Sequence, residues 1–305
     1  MYNLNFFINI KYIYKSTTKT LNTNIMNRIL IPVDFSKNAL AATRYAATLA
    51  KVMNWSLHLI HSYLAYSSNF ATDEFNQEIH EYETDIASQN MKQFLDDLRA
   101  EFPELVITSE IKEGVLSTVI EEAIKTDKYA LVIMGTKGAT GLKSVVMGSN
   151  TFDVIKNTSI PTLAVPEQPF TTILSRVGLL TNFKESEFEV LKDYIHIFGK
   201  PESLILFHMM EKNSDKTKED LKNWAEQIKA EAGLEQVECV AQEMIERLDV
   251  REHFPDYIFR LTESQKLGIL LVTKERKSFI SRLFSRNLVK ALAHELKNPV
   301  FFHAG

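Results

Sequence analysis

Four of the ten glycines fall in one stretch, Met134-Gly-Thr-Lys-Gly-Ala-Thr-Gly-Leu-Lys-Ser-Val-Val-Met-Gly-Ser149. Glycine strips the side chain from a backbone N–H and lets another group approach it closely. The run before the stretch, Tyr129-Ala-Leu-Val-Ile-Met134, is short, aliphatic and flanked by charge, and it predicts a buried strand. After it, Ser149-Asn-Thr-Phe-Asp-Val-Ile-Lys156 sets Phe152 and Ile155 three residues apart behind a Ser149 or Asn150 suited to capping a helix. Strand, glycine loop and helix together aim free N–H groups and the positive end of a helix dipole at one point. That point favours an anion such as phosphate.

Two phosphate loops are excluded by spacing. The single Gly-Lys pair, Gly199-Lys200, is followed by Pro201, so no G-x-x-x-x-G-K-[ST] occurs, and no Gly-x-Gly exists to start a dinucleotide fingerprint. The pattern that is present is Gly135-x2-Gly138-x9-Gly148-Ser149. It resembles the nucleotide-binding signature of the universal stress protein family, specifically its ATP-binding branch. Met134 and the turn Gly135-Thr-Lys-Gly138 fit that resemblance as well.

The loop needs elements to hold it. Apolar strands near 28–33, 56–62, 105–111, 129–134 and 161–165 alternate with helical patterns near 37–53, 75–100, 115–126 and 149–157, which predicts a parallel sheet covered on both faces. Ligands of such sheets sit beyond the carboxyl ends of the strands. The chain also repeats itself. Arg28-Ile-Leu-Ile-Pro-Val-Asp-Phe35 aligns with Arg176-Val-Gly-Leu-Leu-Thr-Asn-Phe183, and Ser56-Leu-His-Leu-Ile-His61 with Ser203-Leu-Ile-Leu-Phe-His208. The reading is an α/β protein of two tandem doubly wound domains, 26–167 and 170–305, divided near Glu167-Gln-Pro-Phe170. The resemblance implies a five-stranded parallel sheet of order 3-2-1-4-5 in each.

It also implies a site. Gly135, Gly138, Gly148 and Ser149 would take the phosphates and ribose, with Asn150 and Thr151 adding contacts at the helix start; Pro32, Val33, Ser62 and Met134 would wall the adenine. Asp34, at the end of the first strand, would meet the nucleoside, although an Asp there also suits a helix cap. The implied cofactor is ATP, or AMP or ADP, with or without magnesium. The function implied is a cytoplasmic stress response that works through binding, with an unknown protein partner. Slow ATP hydrolysis or self-phosphorylation on Ser144 or Ser149 is a second reading, and an interaction module with a vestigial pocket a third. No base to activate water stands out.

The second half departs from the signature. Asn182, Thr273, Arg276, Arg286 and Asn287 align with Asp34, Gly135, Gly138, Gly148 and Ser149, so a single competent site, in the first half, is expected. Arg276, Lys277, Arg282, Arg286 and Lys290 make the second loop basic, which reads as a solvated helix face or an anion site. The closing strands, Pro161-Thr-Leu-Ala-Val165 and Pro299-Val-Phe-Phe302, are expected to pair inside the chain as a pseudo-dimer, with a homodimer as the other outcome.

The 305-residue chain is 45% hydrophobic and carries a net charge of −4, so it can bury a full core and nothing global points to nucleic acid. No apolar run approaches the length of a membrane span. Cys239 stands alone, which excludes a disulfide framework and fits a reducing cytoplasm; its strand context predicts a packed thiol. His58 and His61, three apart on a strand, point to opposite faces and cannot share a metal, leaving His61 a structural strand-end role. Residues 1–25 hold three lysines and no acid and lack a signal-peptide pattern. They read as a dispensable tail, with a start expected at Met26.

Overall fold

The computed structural model describes residues 28–64, 72–136, 149–167, 174–210, 214–243, 258, 260–273 and 298–303. Outside the described residues lie the expected tail, the link after Glu167, Gly138, Gly141 and Gly148 of the first loop, and Arg276 to Lys290 of the second.

The first half runs β1 (Arg28–Pro32), α1 (Lys37–Met53), β2 (Ser56–Tyr63), α2 (Asp73–Glu101), β3 (Ile107–Glu113), α3 (Leu116–Thr126), β4 (Leu131–Gly135), α4 (Ser149–Asn157) and β5 (Thr162–Val165). The second runs β6 (Arg176–Leu180), α5 (Ser186–Phe198), β7 (Ser203–Met210), α6 (Asp215–Ala232), β8 (Val237–Glu243), β9 (Ile269–Val272) and β10 (Val300–Phe302). Local chemistry sets the helix ends. Ser36 caps α1 by accepting from the Ala39 N–H at 3.1 Å, and Asn54 closes it in the left-handed region at φ 56°. Thr72 caps α2, with Asp73 and Glu74 in the first turn, so the helix opens two residues before the expected Phe75.

All ten strands join one sheet of order β3-β2-β1-β4-β5-β10-β9-β6-β7-β8. Each half is therefore 3-2-1-4-5, as the resemblance implied. Within a half every pair is parallel, and the halves meet through the antiparallel β5–β10 pair, with Ala164 opposite Val300, Leu163 opposite Phe301 and Thr162 opposite Phe302. An antiparallel pair at the centre of a mirrored order relates the halves by an approximate two-fold axis. The prolines that open these strands contribute their carbonyls: Val132 N–H donates to Pro161 and Leu270 N–H to Pro299, at 2.9 and 3.0 Å.

Strand alternation divides the core. Ile29, Ile31, Leu57 and Leu59 face one way, onto Ala42, Ala46 and Ala50 of α1, in a layer that continues across both halves to Phe301. Leu30, Ile60 and Val132 face the other way, onto Val119, Ile120 and Ala123 of α3. Both faces of the parallel sheet are thereby dry, which its near-continuous apolar strands require. One expectation fails here: Cys239 is exposed, because β8 is the outer strand of the sheet. Its thiol reaches the Leu221 carbonyl at 3.7 Å, and partial burial pushes its pKa up, away from a reactive thiolate.

Candidate functional site

β1 and β4 lie side by side and parallel, so Asp34 and Gly135 emerge at the same end of the sheet. The first of these ends is shaped by Phe35, which takes φ 60°, a left-handed conformation that costs a bulky residue energy. The His61 ring packs on it with centroids 4.5 Å apart, and Phe94 meets it edge-on at 6.0 Å. His61 Nδ1 donates to the Val33 carbonyl at 2.7 Å, while Val33 N–H donates to Ile60 at 2.9 Å. The turn carrying Asp34 is thus clamped from β2. Asp34 Oδ1 accepts from Ser36 N–H at 3.1 Å, and the cap itself is Ser36, so the two acceptors divide the work that either could have done alone.

β4 ends against α1. A Cβ added at Gly135 would lie 2.5 Å from Asn38 Oδ1 and 3.1 Å from the Asn38 carbonyl oxygen. Helix packing therefore demands glycine at this position before any ligand does. Asn38 is buried, and its Nδ2 donates to the Val165 carbonyl at 3.4 Å, which also accepts from Thr136 N–H at 3.1 Å.

On the far side of the glycine loop, α4 already includes Ser149 and Asn150, so neither is the residue outside the helix that the sequence suggested. Both are exposed in its first turn, where N–H groups have no partner inside the helix. Thr151 is buried and its hydroxyl donates to the Gly135 carbonyl at 2.9 Å. That bond ties the two ends of the loop together. The expected residues thus form two sets: Asp34, Ser62, Ser149 and Asn150 at least partly exposed, over buried Pro32, Val33, Met134, Gly135 and Thr151. Gly138 and Gly148 belong to the undescribed loop.

The same turn recurs in the second half with altered chemistry. Phe183 has φ 61°, His208 stacks on it at 4.5 Å, and His208 Nδ1 donates to the Thr181 carbonyl at 2.9 Å. Burial holds His208 below the usual histidine range, keeping the ring neutral for this role. Strand register puts Thr273 where Gly135 stands, since Ile29 and Val177 pair with Leu131 and Ile269. Ser186 takes the place of Asn38, and buried Glu187 that of Ala39. The Glu187 carboxylate accepts from Thr181 Oγ1 at 2.5 Å, Asn182 N–H at 2.6 Å, Trp224 Nε1 at 2.8 Å and Lys184 N–H at 3.2 Å. An internal carboxyl group therefore satisfies the turn.

Asn38, Phe35 and Glu187 were not expected as site-shaping residues, whereas His61 fills the structural strand-end role expected of it. The repeated Phe and His at matching offsets were a readable signal for the clamp; Asn38 and Glu187 gave none without the packing. Among the described residues no group of three His, Cys, Asp or Glu side chains is arranged to hold a metal ion. No described helix is long and apolar enough to cross a membrane.

Comparison with known proteins places this geometry. A universal stress protein of Methanocaldococcus jannaschii is 29% identical over 162 residues, covering 51% of this chain and 91% of the relative. A second universal stress protein from that organism is 26% identical over 156 residues, covering 45% and 93%. The crystal structure of a universal stress protein from Archaeoglobus fulgidus has the same fold across both halves, with a TM-score of 0.63 at 17% identity over 91% of this chain and 96% of that one. Residues 26–166 match the profile of the universal stress protein family. It is this first half, from β1 to the end of β5, that matches the universal stress protein family.

Proposed function

We propose that the first half, residues 26–167, binds one adenine nucleotide, ATP or its AMP or ADP relatives, and that the second half, residues 170–305, supports it without a site of its own. The observation that carries this reading is Gly135-x2-Gly138-x9-Gly148-Ser149 lying between β4 and α4, beside the end of β1. The exposed first turn of α4 at Ser149 and Asn150 offers N–H groups and a dipole to phosphate. Asp34 offers a carboxylate to ribose hydroxyls or the adenine edge, with Pro32, Val33, Ser62 and Met134 beneath and beside the base. Thr151 acts from below, by holding the loop ends. A nucleotide would bring its own phosphate charge, and any magnesium would be held largely by those phosphates. The second half has Thr273 in place of Gly135 and an internal carboxylate at the turn, which favours one nucleotide per chain. The protein then works in the cytoplasm as a nucleotide-dependent regulatory module more than through turnover.

Calorimetric titration of the full chain with ATP tests this. Saturation at one equivalent is expected; Gly148→Val should abolish binding, and Asp34→Ala should weaken it by about tenfold or more while leaving the number of sites at one. Unchanged affinity in both variants, or two equivalent sites, would remove the assignment.

A further inference from the structure

Helix α2 is 29 residues long, whereas the β2 strand beside it has 8. At 1.5 Å per residue the helix spans about 43 Å and outruns the sheet it covers. Its buried residues, Ala87, Met91, Phe94, Leu95 and Leu98, all lie in its second half. The first half is held along one edge, by the Tyr63–Thr84 hydroxyl pair at 2.9 Å, the Tyr63 and His80 rings at 5.9 Å and the His80–Glu113 pair at 3.9 Å.

Opposite that edge the helix is apolar and bare. Phe75, Tyr82 and Ile86 are 52%, 68% and 39% exposed, with half-buried Ile79 between them. Steps of four, three and four residues place the four side chains within about 60° of the helix circumference, the seam spacing of a coiled coil. Glu74, Glu78, Glu81 and Asp85, each one residue earlier, form a parallel exposed row. Between Asp73 and Met91 the helix carries six carboxylates and no lysine or arginine. Among the described residues none of the four in the row belongs to an ion pair.

We propose that this stripe docks a cationic amphipathic helix of a partner protein. Its apolar residues, repeating every three to four positions, seat on Phe75, Ile79, Tyr82 and Ile86, and its lysines or arginines run along the acidic row. The row selects among occupants. A second copy of this chain would bring the same carboxylates to the seam, and an anionic lipid surface would be repelled by them. The stripe is about 17 Å long, so a partner helix of three to four turns covers it. This inference does not depend on nucleotide binding.

The test uses the full chain and a fluorescent 18-residue synthetic helix with leucine at the two seam positions of each heptad and lysine at the flanking ones. Saturable binding is expected, weakening as salt rises, and at least tenfold weaker for both Phe75→Ser with Tyr82→Ser and Glu78→Lys with Glu81→Lys. Unchanged thermal unfolding of these surface variants shows that they are folded. Equal binding by the variants, equal binding of a matched helix bearing glutamate for lysine, or no binding overturns the proposal. So does self-association, or attachment to phosphatidylserine vesicles, that the same substitutions abolish.

Discussion

At the scale of single residues, the two halves solve one packing problem in opposite ways. Where α1 meets the end of β4, a large Asn38 faces Gly135; at the matching positions the second half has the smaller Ser186 and the larger Thr273. Gly135→Ala should therefore destabilise the fold by about 1–3 kcal/mol through overpacking. Asn38→Ser should recover much of that loss in the double variant, an interaction visible in a denaturant double-mutant cycle. Simple additivity would mean that Asn38 is not what fixes Gly135. Glu187 poses a different case, because burial pushes its carboxyl above the usual range while its four donors pull it down. Glu187→Ala strands those donors and should cost about 3 kcal/mol. A raised acid pKa means that the folded chain keeps a proton the unfolded chain has already released. The stability this group contributes is thus full below the ordinary carboxylate range and declines as pH rises through the raised value. Measured against Glu187→Gln, which cannot ionise, wild-type stability should fall across that window; a flat difference would contradict the shift.

At the scale of elements, the central strands matter most. Removing residues 298–305 takes away β10 and leaves β5 and β9 each with a bare edge, an open template for pairing. The truncated chain should lose its cooperative melt and associate through those edges, which light scattering and thermal scans would detect. A truncated chain that stayed dispersed and melted sharply would show that β10 is dispensable. The elements were largely legible in the sequence, because β1, β4 and β5 are buried on both faces and read as short apolar runs bounded by turn residues. β3 was harder: with Thr108, Ser109 and Glu113 exposed on an edge strand, its start was read two residues early. The floor and rim of the candidate site were legible through Gly135, Ser149 and Asp34. The parts that shape it were not. Asn38 depends on an approach between helix and strand that no local pattern encodes. The Phe35 clamp depends on a backbone conformation that a phenylalanine rarely adopts, made tolerable by His61 from another strand. The exposure of Cys239 was not legible for a related reason, since strand character alone does not say that β8 is the outer strand of the sheet.

At the scale of the whole molecule, the described strands form one continuous sheet whose two halves run in opposite directions. The carboxyl ends of β1 and β4 point one way and those of β6 and β9 the other, so the Asp34 turn and its Asn182 counterpart open at opposite ends. The family profile covers residues 26–166, and the fold repeats beyond them with a turn satisfied from within by Glu187. The β5–β10 seam has a further consequence. Two separate chains joined at such a seam would part on dilution, in a second-order equilibrium tied to how much protein a cell holds. Here the same seam closes within one covalent chain, so its occupancy depends on a fixed local concentration instead of on abundance. Between a few copies and many, the ten-stranded sheet remains whole.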